Sequence, residues 1–250
     1  MLTTKDKTDF GFQFVSWDDK QKMVDGIFSS VAQSYDVMND VMSLGLHRLW
    51  KREAVALSFV RPGEKVLDLA SGSGDLAYLF FKKVGESGQV IMTDINGSML
   101  SVGRQRMENR GNLSKIYYAL TNAEKIPFPS NSFDIVSIGF GLRNVRDKDQ
   151  ALREIFRVLK PGGRAIILEF SKPSMELFSS IYDAYSFRLL PKFGKWIAND
   201  EASYRYLVES IRRHPDQSTL GGMMQAAGFD QVKWFNFSGG VVATHRGYKY

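Results

Sequence analysis

The sequence predicts an α/β fold: a doubly wound sheet, mostly parallel, with an antiparallel last strand and a helical insert before the last two strands. Three observations predict it. Between residues 65 and 170, short apolar runs alternate with amphipathic stretches, as strands joined by crossover helices do. The first run, Val66-Leu67-Asp68-Leu69, breaks into Ser71-Gly72-Ser73-Gly74 and is followed by an amphipathic segment, which gives strand, glycine turn and helix. The last two runs, 232–237 and 241–248, are joined by only Ser238-Gly239-Gly240, too short a link for a crossover, so they pair antiparallel.

Taken in order, residues 1–20 read as an extended arm with scattered aromatics (Phe10, Phe12, Phe14, Trp17). Met23, Ile27, Phe28 and Val31 have helical spacing, giving a helix over 20–35. Residues 35–51 mix methionines, an aromatic and acids without a clean period, and suit either a lid over a pocket or a cap on the sheet edge. Residues 50–59 form a helix ended by Arg61-Pro62-Gly63. Strands are expected at 66–69, 89–94, 116–120, 133–138 and 164–170, and the helices between them at 75–84, 98–110 and 147–159. The last of these helices carries Leu152, Ile155 and Val158 on one face and is ended by Pro161-Gly162-Gly163. Residues 171–215 hold no convincing strand and read as a helical insert rich in aromatics (Phe178, Tyr182, Tyr185, Phe187, Phe193, Trp196, Tyr204, Tyr206). A helix over 220–227 closes at Gly228. The domain reading is residues 1–60 as arm and lid or cap, and 61–250 as the sheet domain with its insert at 171–215.

Composition narrows the chemistry. The 250 residues contain no cysteine, which excludes disulfides, thiolate metal sites, cysteine nucleophiles and cysteine-held iron–sulfur clusters. His47, His214 and His245 lack metal-ligand spacing, so no metal is expected. The net charge of +6 admits an anionic partner or serves solubility, and the basic residues are scattered rather than blocked. The first residues have no apolar core for a signal peptide, and no run approaches the ~18 residues of a membrane span. A cytoplasmic location is expected.

The glycine turn is the candidate site. Gly72 and Gly74 can take backbone angles closed to other residues and carry no Cβ to hold a ligand away. Asp94 ends the second strand twenty residues past Gly74. In a doubly wound sheet that places it beside the turn, where a carboxylate accepts hydrogen bonds from ribose hydroxyls. This pair points to an adenosine cofactor. Three features favour S-adenosylmethionine over a nicotinamide. Asp68 precedes the glycines, where a carboxylate is poor company for a pyrophosphate. The chain ends in an antiparallel pair rather than a second mononucleotide half. Asn122-Ala123-Glu124 suits an adenine edge.

At this point the chain resembles a known family. The stretches are Tyr35-Asp-Val-Met-Asn-Asp-Val-Met-Ser, His47-Arg-Leu-Trp-Lys, Asp68-Leu-Ala-Ser-Gly-Ser-Gly-Asp, Phe140-Gly-Leu-Arg-Asn-Val, Arg157-Val-Leu-Lys-Pro-Gly-Gly, Leu168-Glu-Phe-Ser-Lys-Pro, Tyr182-Asp-Ala-Tyr-Ser-Phe, Ser203-Tyr-Arg-Tyr-Leu-Val-Glu-Ser-Ile and Gly240-Val-Val-Ala-Thr-His-Arg-Gly-Tyr-Lys. They resemble the ubiquinone/menaquinone biosynthesis C-methyltransferases, within the class I (Rossmann-like) S-adenosylmethionine-dependent methyltransferases, from about residue 10 to the end. The resemblance implies that Ser73, Asp94, Asn122 and Ala123 bind the cofactor; Asp68, Gly72, Gly74 and Gly139 complete the expected set. Two positions depart from the pattern: Ser71-Gly72-Ser73-Gly74 stands where Gly-Gly-Thr-Gly is usual, and Gly139 where a serine is frequent.

The resemblance further implies C-methylation of a polyprenylated quinol, either demethylmenaquinol or 2-methoxy-6-polyprenyl-1,4-benzoquinol. A ring carbon is a weak nucleophile until the neighbouring hydroxyl loses its proton, and it must lie within ~3–3.5 Å of the methyl group, aligned with it. Arg143 is the main catalytic candidate, because an arginine stays charged and stabilises an oxyanion or orients a water; a structural pairing with an acid such as Asp147 is the alternative. Asn144 can orient the ring oxygen. Tyr35, Asp36, Tyr185 and His245 are weaker candidates for substrate contact, and a satisfied buried role competes for His245. The aromatic insert with Arg188, Lys192 and Lys195 suits a greasy tail and a transient, peripheral contact with an anionic membrane face; filling a small core of its own competes. A quinone-biosynthesis complex or a homodimer is left open. Rival readings are a nucleic-acid methyltransferase, disfavoured by Gly139-Phe-Gly-Leu-Arg where an amino-group enzyme carries an Asp/Asn-Pro-Pro-aromatic motif, a non-enzymatic scaffold, and an NAD oxidoreductase.

Overall fold

The computed structural model describes residues 7–31, 39–40, 43–111, 115–173 and 201–250. A seven-stranded sheet is built from β3 (Lys65–Leu69), β4 (Gln89–Asp94), β5 (Ile116–Leu120), β6 (Phe133–Gly139), β7 (Leu159–Phe170), β8 (Asp230–Phe237) and β9 (Val242–Tyr248). Its order is β5-β4-β3-β6-β7-β9-β8. The five strands from β5 to β7 pair in parallel, while β9 lies antiparallel to both β7 and β8. The strand order reverses between β3 and β6, which is where an open α/β sheet leaves a crevice at the carboxyl ends of its strands.

Both faces are covered, which explains why the central strands read as continuous apolar runs. On one face α2 (His47–Leu57), α3 (Asp75–Val84) and α4 (Gly97–Asn109) bury Trp50, Ala54, Phe80 and Met107 against Val66, Val90 and Ile166. On the other, α5 (Lys148–Val158) and α7 (Gln217–Ala226) bury Leu152, Ile155, Leu220 and Met224 against Leu67, Val136 and Ile167. Alternate residues of β3 thus serve opposite cores, and Asp68 falls on the face of α2 and α3.

The structure corrects three expectations. The arm is a hairpin of β1 (Lys7–Phe10) and β2 (Gln13–Ser16), followed directly by α1 (Trp17–Val31). It is held by α6 (Glu201–Arg213): the Phe12 backbone N–H donates to Glu209 at 3.1 Å, and Phe10 stacks on Tyr206 with ring centroids 4.4 Å apart. A partner so far along the chain leaves no local periodicity. The helix starts at Trp17 because Ser16 caps it, accepting from the Asp19 N–H at 3.1 Å. Finally, Pro161-Gly162-Gly163 lies inside β7 rather than after a helix. The strand begins at Leu159, and Gly162 and Gly163 are fixed by backbone bonds to Lys249. No described helix is long and apolar enough to cross a membrane.

Candidate active site

At the strand-order reversal, a cleft of roughly 740 Å³ lies between the carboxyl ends of β3, β4, β5 and β6. Its walls include Gly72, Asp94, Asn96, Met99, Thr121, Asn122, Ala123, Phe140, Gly141 and Asn144, and Gln21, Val24 and Phe28 of α1. A second lobe of roughly 360 Å³ shares Ala70, Gly72 and Phe140 with the first, and adds Lys51, Asp68, Ser71, Ser73, Asp75, Leu76 and Gly139. The glycine turn is therefore the ridge between two lobes.

The turn is locked from several sides. The Gly72 N–H donates to one Asp94 carboxylate oxygen at 2.9 Å, and the Asn96 N–H donates to the other at 2.9 Å. Ser71 stitches β3 to β4: its hydroxyl donates to the Asp68 carbonyl at 2.8 Å and accepts from the Thr93 N–H at 3.0 Å. The serine that departs from the family pattern therefore has a defined structural partner on each strand. Gly74, with φ +84, caps α3, and a Cβ on Gly103 of α4 would sit 2.5 Å from the Gly72 carbonyl. Only small residues allow that helix to lie so close to the turn.

Asp68 is 1% exposed. Its Oδ1 accepts from the Ser137 hydroxyl at 2.6 Å, whereas Oδ2 has no hydrogen-bond partner among the described residues. Burial pushes its carboxyl up to about 7. Burial also raises the Asp94 carboxyl, against the backbone N–H bonds that lower it. Thr121 contributes a second buried oxygen without a described partner, on the wall of the larger cleft. The Asn122 side-chain oxygen accepts from the Glu124 N–H at 2.8 Å, so the amide keeps its donors for a ligand.

The loop after β6 forms the opposite wall. Phe140 takes φ +55, a conformation strained for a bulky residue, and its N–H is held by the Leu168 carbonyl at 2.7 Å. Asn144 lines the cleft, and its side-chain oxygen accepts from the Tyr206 hydroxyl at 3.0 Å. Arg143 lies just behind this wall and is not itself a lining residue. Its guanidinium is buried against Glu169 at 3.0 Å and donates to the Phe140 carbonyl, and Phe170 lies beneath it at 5.5 Å. The acid paired with Arg143 is thus Glu169; Asp147 instead caps α5, accepting from the Gln150 N–H at 2.9 Å. Glu124 clamps the wall to the β5 end by accepting from Arg146 and from the Asp147 N–H.

Of the residues expected from sequence, Asp68, Gly72, Ser73, Asp94, Asn122, Ala123, Gly139 and Asn144 line one or both lobes. Gly74 supports the turn from below, packed on Met92 and Met107. At Gly139 a Cβ would lie 3.1 Å from Leu76, so a serine there would press on α3. His245 lines neither lobe; it is 2% exposed, with Nε2 2.8 Å from the Gln217 carbonyl, and its pKa is lowered by burial. His47 pairs with Asp40 at 2.8 Å, and His214 is buried, which lowers its pKa. Tyr35, Asp36 and Tyr185, with the basic and aromatic residues of 174–200, lie outside the described residues.

Sequence reasoning missed four contributors. Asn96 caps α4 through the Met99 N–H at 2.9 Å while its amide donates to Asp25 and to Ser29 (2.9 Å) of α1. That bond holds α1 along the larger cleft, which Gln21, Val24 and Phe28 line. Lys51 and Thr121 sit in motifs already visible, but neither has a spacing that announces a site. Tyr206 belongs to Ser203-Tyr-Arg-Tyr-Leu, where only the fold shows its partner.

Comparison with known proteins adds to this geometry. The chain matches the sequence profile described as the ubiE/COQ5 methyltransferase family over residues 16–249. It is 58% identical over 246 residues to a ubiquinone/menaquinone biosynthesis C-methyltransferase UbiE of Serratia proteamaculans, covering 98% of both chains. It is 56% identical over 251 residues to the protein of that name in Pectobacterium atrosepticum, covering all of both. Among solved structures, a SAM dependent methyltransferase from Aquifex aeolicus superposes with a TM-score of 0.62 at 19% identity, over 86% of this chain and 98% of that one. A possible histamine N-methyltransferase from Thermotoga maritima gives 0.61 at 20% identity, over 90% and 99%.

Proposed function

The chain belongs to the ubiE/COQ5 methyltransferase family and has the class I methyltransferase fold, and from that premise we propose that it methylates a ring carbon of a polyprenylated quinol, with S-adenosylmethionine as donor. The ring is that of a demethylmenaquinol, a 2-methoxy-6-polyprenyl-1,4-benzoquinol, or both. The observation that carries the reading is the two-lobed cleft, which sets Asp94 and Asn122 on one wall and Asn144 on the facing one.

The residues present fit the donor. Asp94 reaches the cleft from the end of β4 and has lone pairs beyond the two used by backbone N–H groups, so it can take ribose hydroxyls. The Asn122 amide and the Ala123 backbone address a nucleobase edge. In the second lobe, Asp68 carries a buried oxygen lacking a described partner, which suits a cationic group. When bound, S-adenosylmethionine supplies a methyl group made electrophilic by its sulfonium.

The remaining work falls to the chain. A quinol carbon becomes nucleophilic as its neighbouring hydroxyl gives up a proton, and the oxyanion so formed needs fixed donors. Asn144 offers its amide N–H to that oxygen while Tyr206 holds the amide oxygen. Arg143, anchored by Glu169, sets a permanent positive charge behind the same wall. With the donor bound, the new C–C bond at the ring carbon would form as the sulfonium–methyl bond breaks to leave the neutral thioether, and the displaced ring proton would pass to water, restoring aromaticity. Incubation with radiolabelled donor and reduced short-chain quinols tests the function: label is expected in the quinol extract, and its absence with both ring types defeats the reading.

The enzyme is further proposed to be cytoplasmic and to visit an anionic membrane face transiently to collect substrate. Salt-sensitive partition onto anionic vesicles, absent on neutral ones, is the expected behaviour. A homodimer or a quinone-biosynthesis assembly belongs to the same proposal and is read from sedimentation.

A further inference from the structure

Three separate pieces of chain wall the larger cleft: Asn122 and Ala123 after β5, Asn144 and Val145 after β6, and Gln21, Val24 and Phe28 of α1. Glu124 stands where they meet. Its side chain is 8% exposed, and its carboxylate accepts four hydrogen bonds, all from Arg146 and Asp147. Oε1 takes the backbone N–H groups of Arg146 (3.1 Å) and Asp147 (3.2 Å), and Oε2 takes Arg146 Nε (3.1 Å) and Nη2 (2.7 Å). One buried carboxylate thus grips both the main chain and the guanidinium fork, unlike an exposed ion pair between two flexible side chains. The guanidinium in turn lies over the ring of Trp17, 4.4 Å from its centroid. Trp17 opens α1, and Trp17, Gln21, Val24 and Phe28 follow at helical spacing on one stripe. Arg146 therefore bears on the same stripe of α1 that lines the cleft.

The grip falls two residues beyond Asn144. Leu142–Asn144 is a single tight turn, closed by the Asn144 N–H to the Gly141 carbonyl at 3.0 Å and the Val145 N–H to the Leu142 carbonyl at 3.1 Å. A turn so short passes a shift at its outgoing end directly to Asn144. Tyr206 holds the Asn144 side chain, and Arg146 holds the backbone that carries it. We propose that Arg146, through Glu124 and Trp17, is a positioning residue for methyl transfer. It sets the place of the Asn144 amide relative to the loop after β5, and it is not itself a lining residue of the cleft. This rests on the quinol reading above, in which Asn144 donates to the ring oxygen.

The test is a double-variant cycle on single-turnover methyl transfer from labelled donor to short-chain quinols of both ring types. Arg146→Ala is expected to slow transfer by about 10- to 100-fold, the cost of a small misplacement at the reacting centre. Calorimetric affinity for S-adenosylhomocysteine is expected to stay within about threefold. In an Asn144→Ala background the same change is expected to slow transfer by less than about twofold, because the group it positions is gone. A loss of equal size in both backgrounds would show that Arg146 only supports the fold, and would overturn the proposal while leaving the quinol reading intact. A fall in S-adenosylhomocysteine affinity as large as the fall in rate would do the same. Wild-type protein that labels neither ring type overturns both. Should Arg146→Ala fold poorly, Arg146→Lys enters the same cycle, since it keeps the charge but lacks the fork. A loss of about threefold or more that requires Asn144 supports the proposal; a smaller loss, or one that persists without Asn144, contradicts it.

Discussion

The Tyr206 hydroxyl donates to the Asn144 side-chain oxygen at 3.0 Å, joining α6 to the loop that follows β6. The bond engages the amide oxygen and leaves the N–H₂ group of this cleft-lining residue to serve as a donor. Tyr206 is itself 6% exposed and stacked on Phe10, which makes the hairpin part of the same assembly. Tyr206→Phe is expected to cost about 1 kcal/mol of stability, the usual worth of one hydrogen bond. It is also expected to lower kcat by about tenfold while leaving the KM for the methyl donor within twofold. Chemical denaturation and steady-state kinetics read the two effects separately, and a change in donor KM alone would argue against the role.

The Arg143–Glu169 pair is buried on both sides, with side chains 5% and 2% exposed. Removing one partner strands the other charge, so Arg143→Ala and Glu169→Ala are each expected to destabilise by about 3–5 kcal/mol. The double variant is expected to regain part of that stability but none of the turnover, because the oxyanion loses its positive charge in both. Recovery of activity together with stability would reduce Arg143 to a structural ion pair.

Asp68 is expected to make donor binding pH-dependent. Its folded carboxyl titrates at about 7, above the 3.8 of an exposed aspartate. The folded protein therefore binds the extra proton between these values, and this group's contribution to stability falls as pH rises from about 4 to 7. A ligand ammonium beside Oδ2 favours the ionised form. Binding of S-adenosylhomocysteine at pH 6.5 is thus expected to release a proton, detected as a dependence of binding heat on buffer ionisation. Asp68→Asn should abolish the release and flatten stability over the same window; proton release that persists in Asp68→Asn would place the titrating group elsewhere.

Asn96 joins the cap of α4 to α1. Asn96→Asp keeps an oxygen for the Met99 N–H but turns a carboxylate towards Asp25. Donor dissociation is expected to quicken by about tenfold while thermal stability shifts little, since the cap survives. Stopped-flow fluorescence of Trp17 on α1 reads the rate.

Much of the site was legible because it is local. The Asp68–Asp75 turn and Asp94 are fixed by strand ends and glycines, and strand β4, strand β5 and helix α3 fall where alternation and period place them. What the sequence hid is what depends on distant packing. The hairpin needs Glu209 and Tyr206, some 200 residues away, to hold its form. Arg143 lies four residues from Asp147 and twenty-six from Glu169, yet pairs with the farther acid because β7 runs beside β6. The position of α1 along the cleft is set by the Asn96 amide, a contact that apolar periodicity does not record.

The central claim is that a ring carbon of a quinol receives the methyl group. Purified enzyme, carbon-13-methyl-labelled S-adenosylmethionine and reduced demethylmenaquinone or methoxy-polyprenyl-benzoquinone analogues, followed by NMR of the extracted product, test it most directly. The account expects the label in an aromatic methyl signal with at least one ring type. Label confined to a methoxy signal, or absent from the quinol, would contradict it.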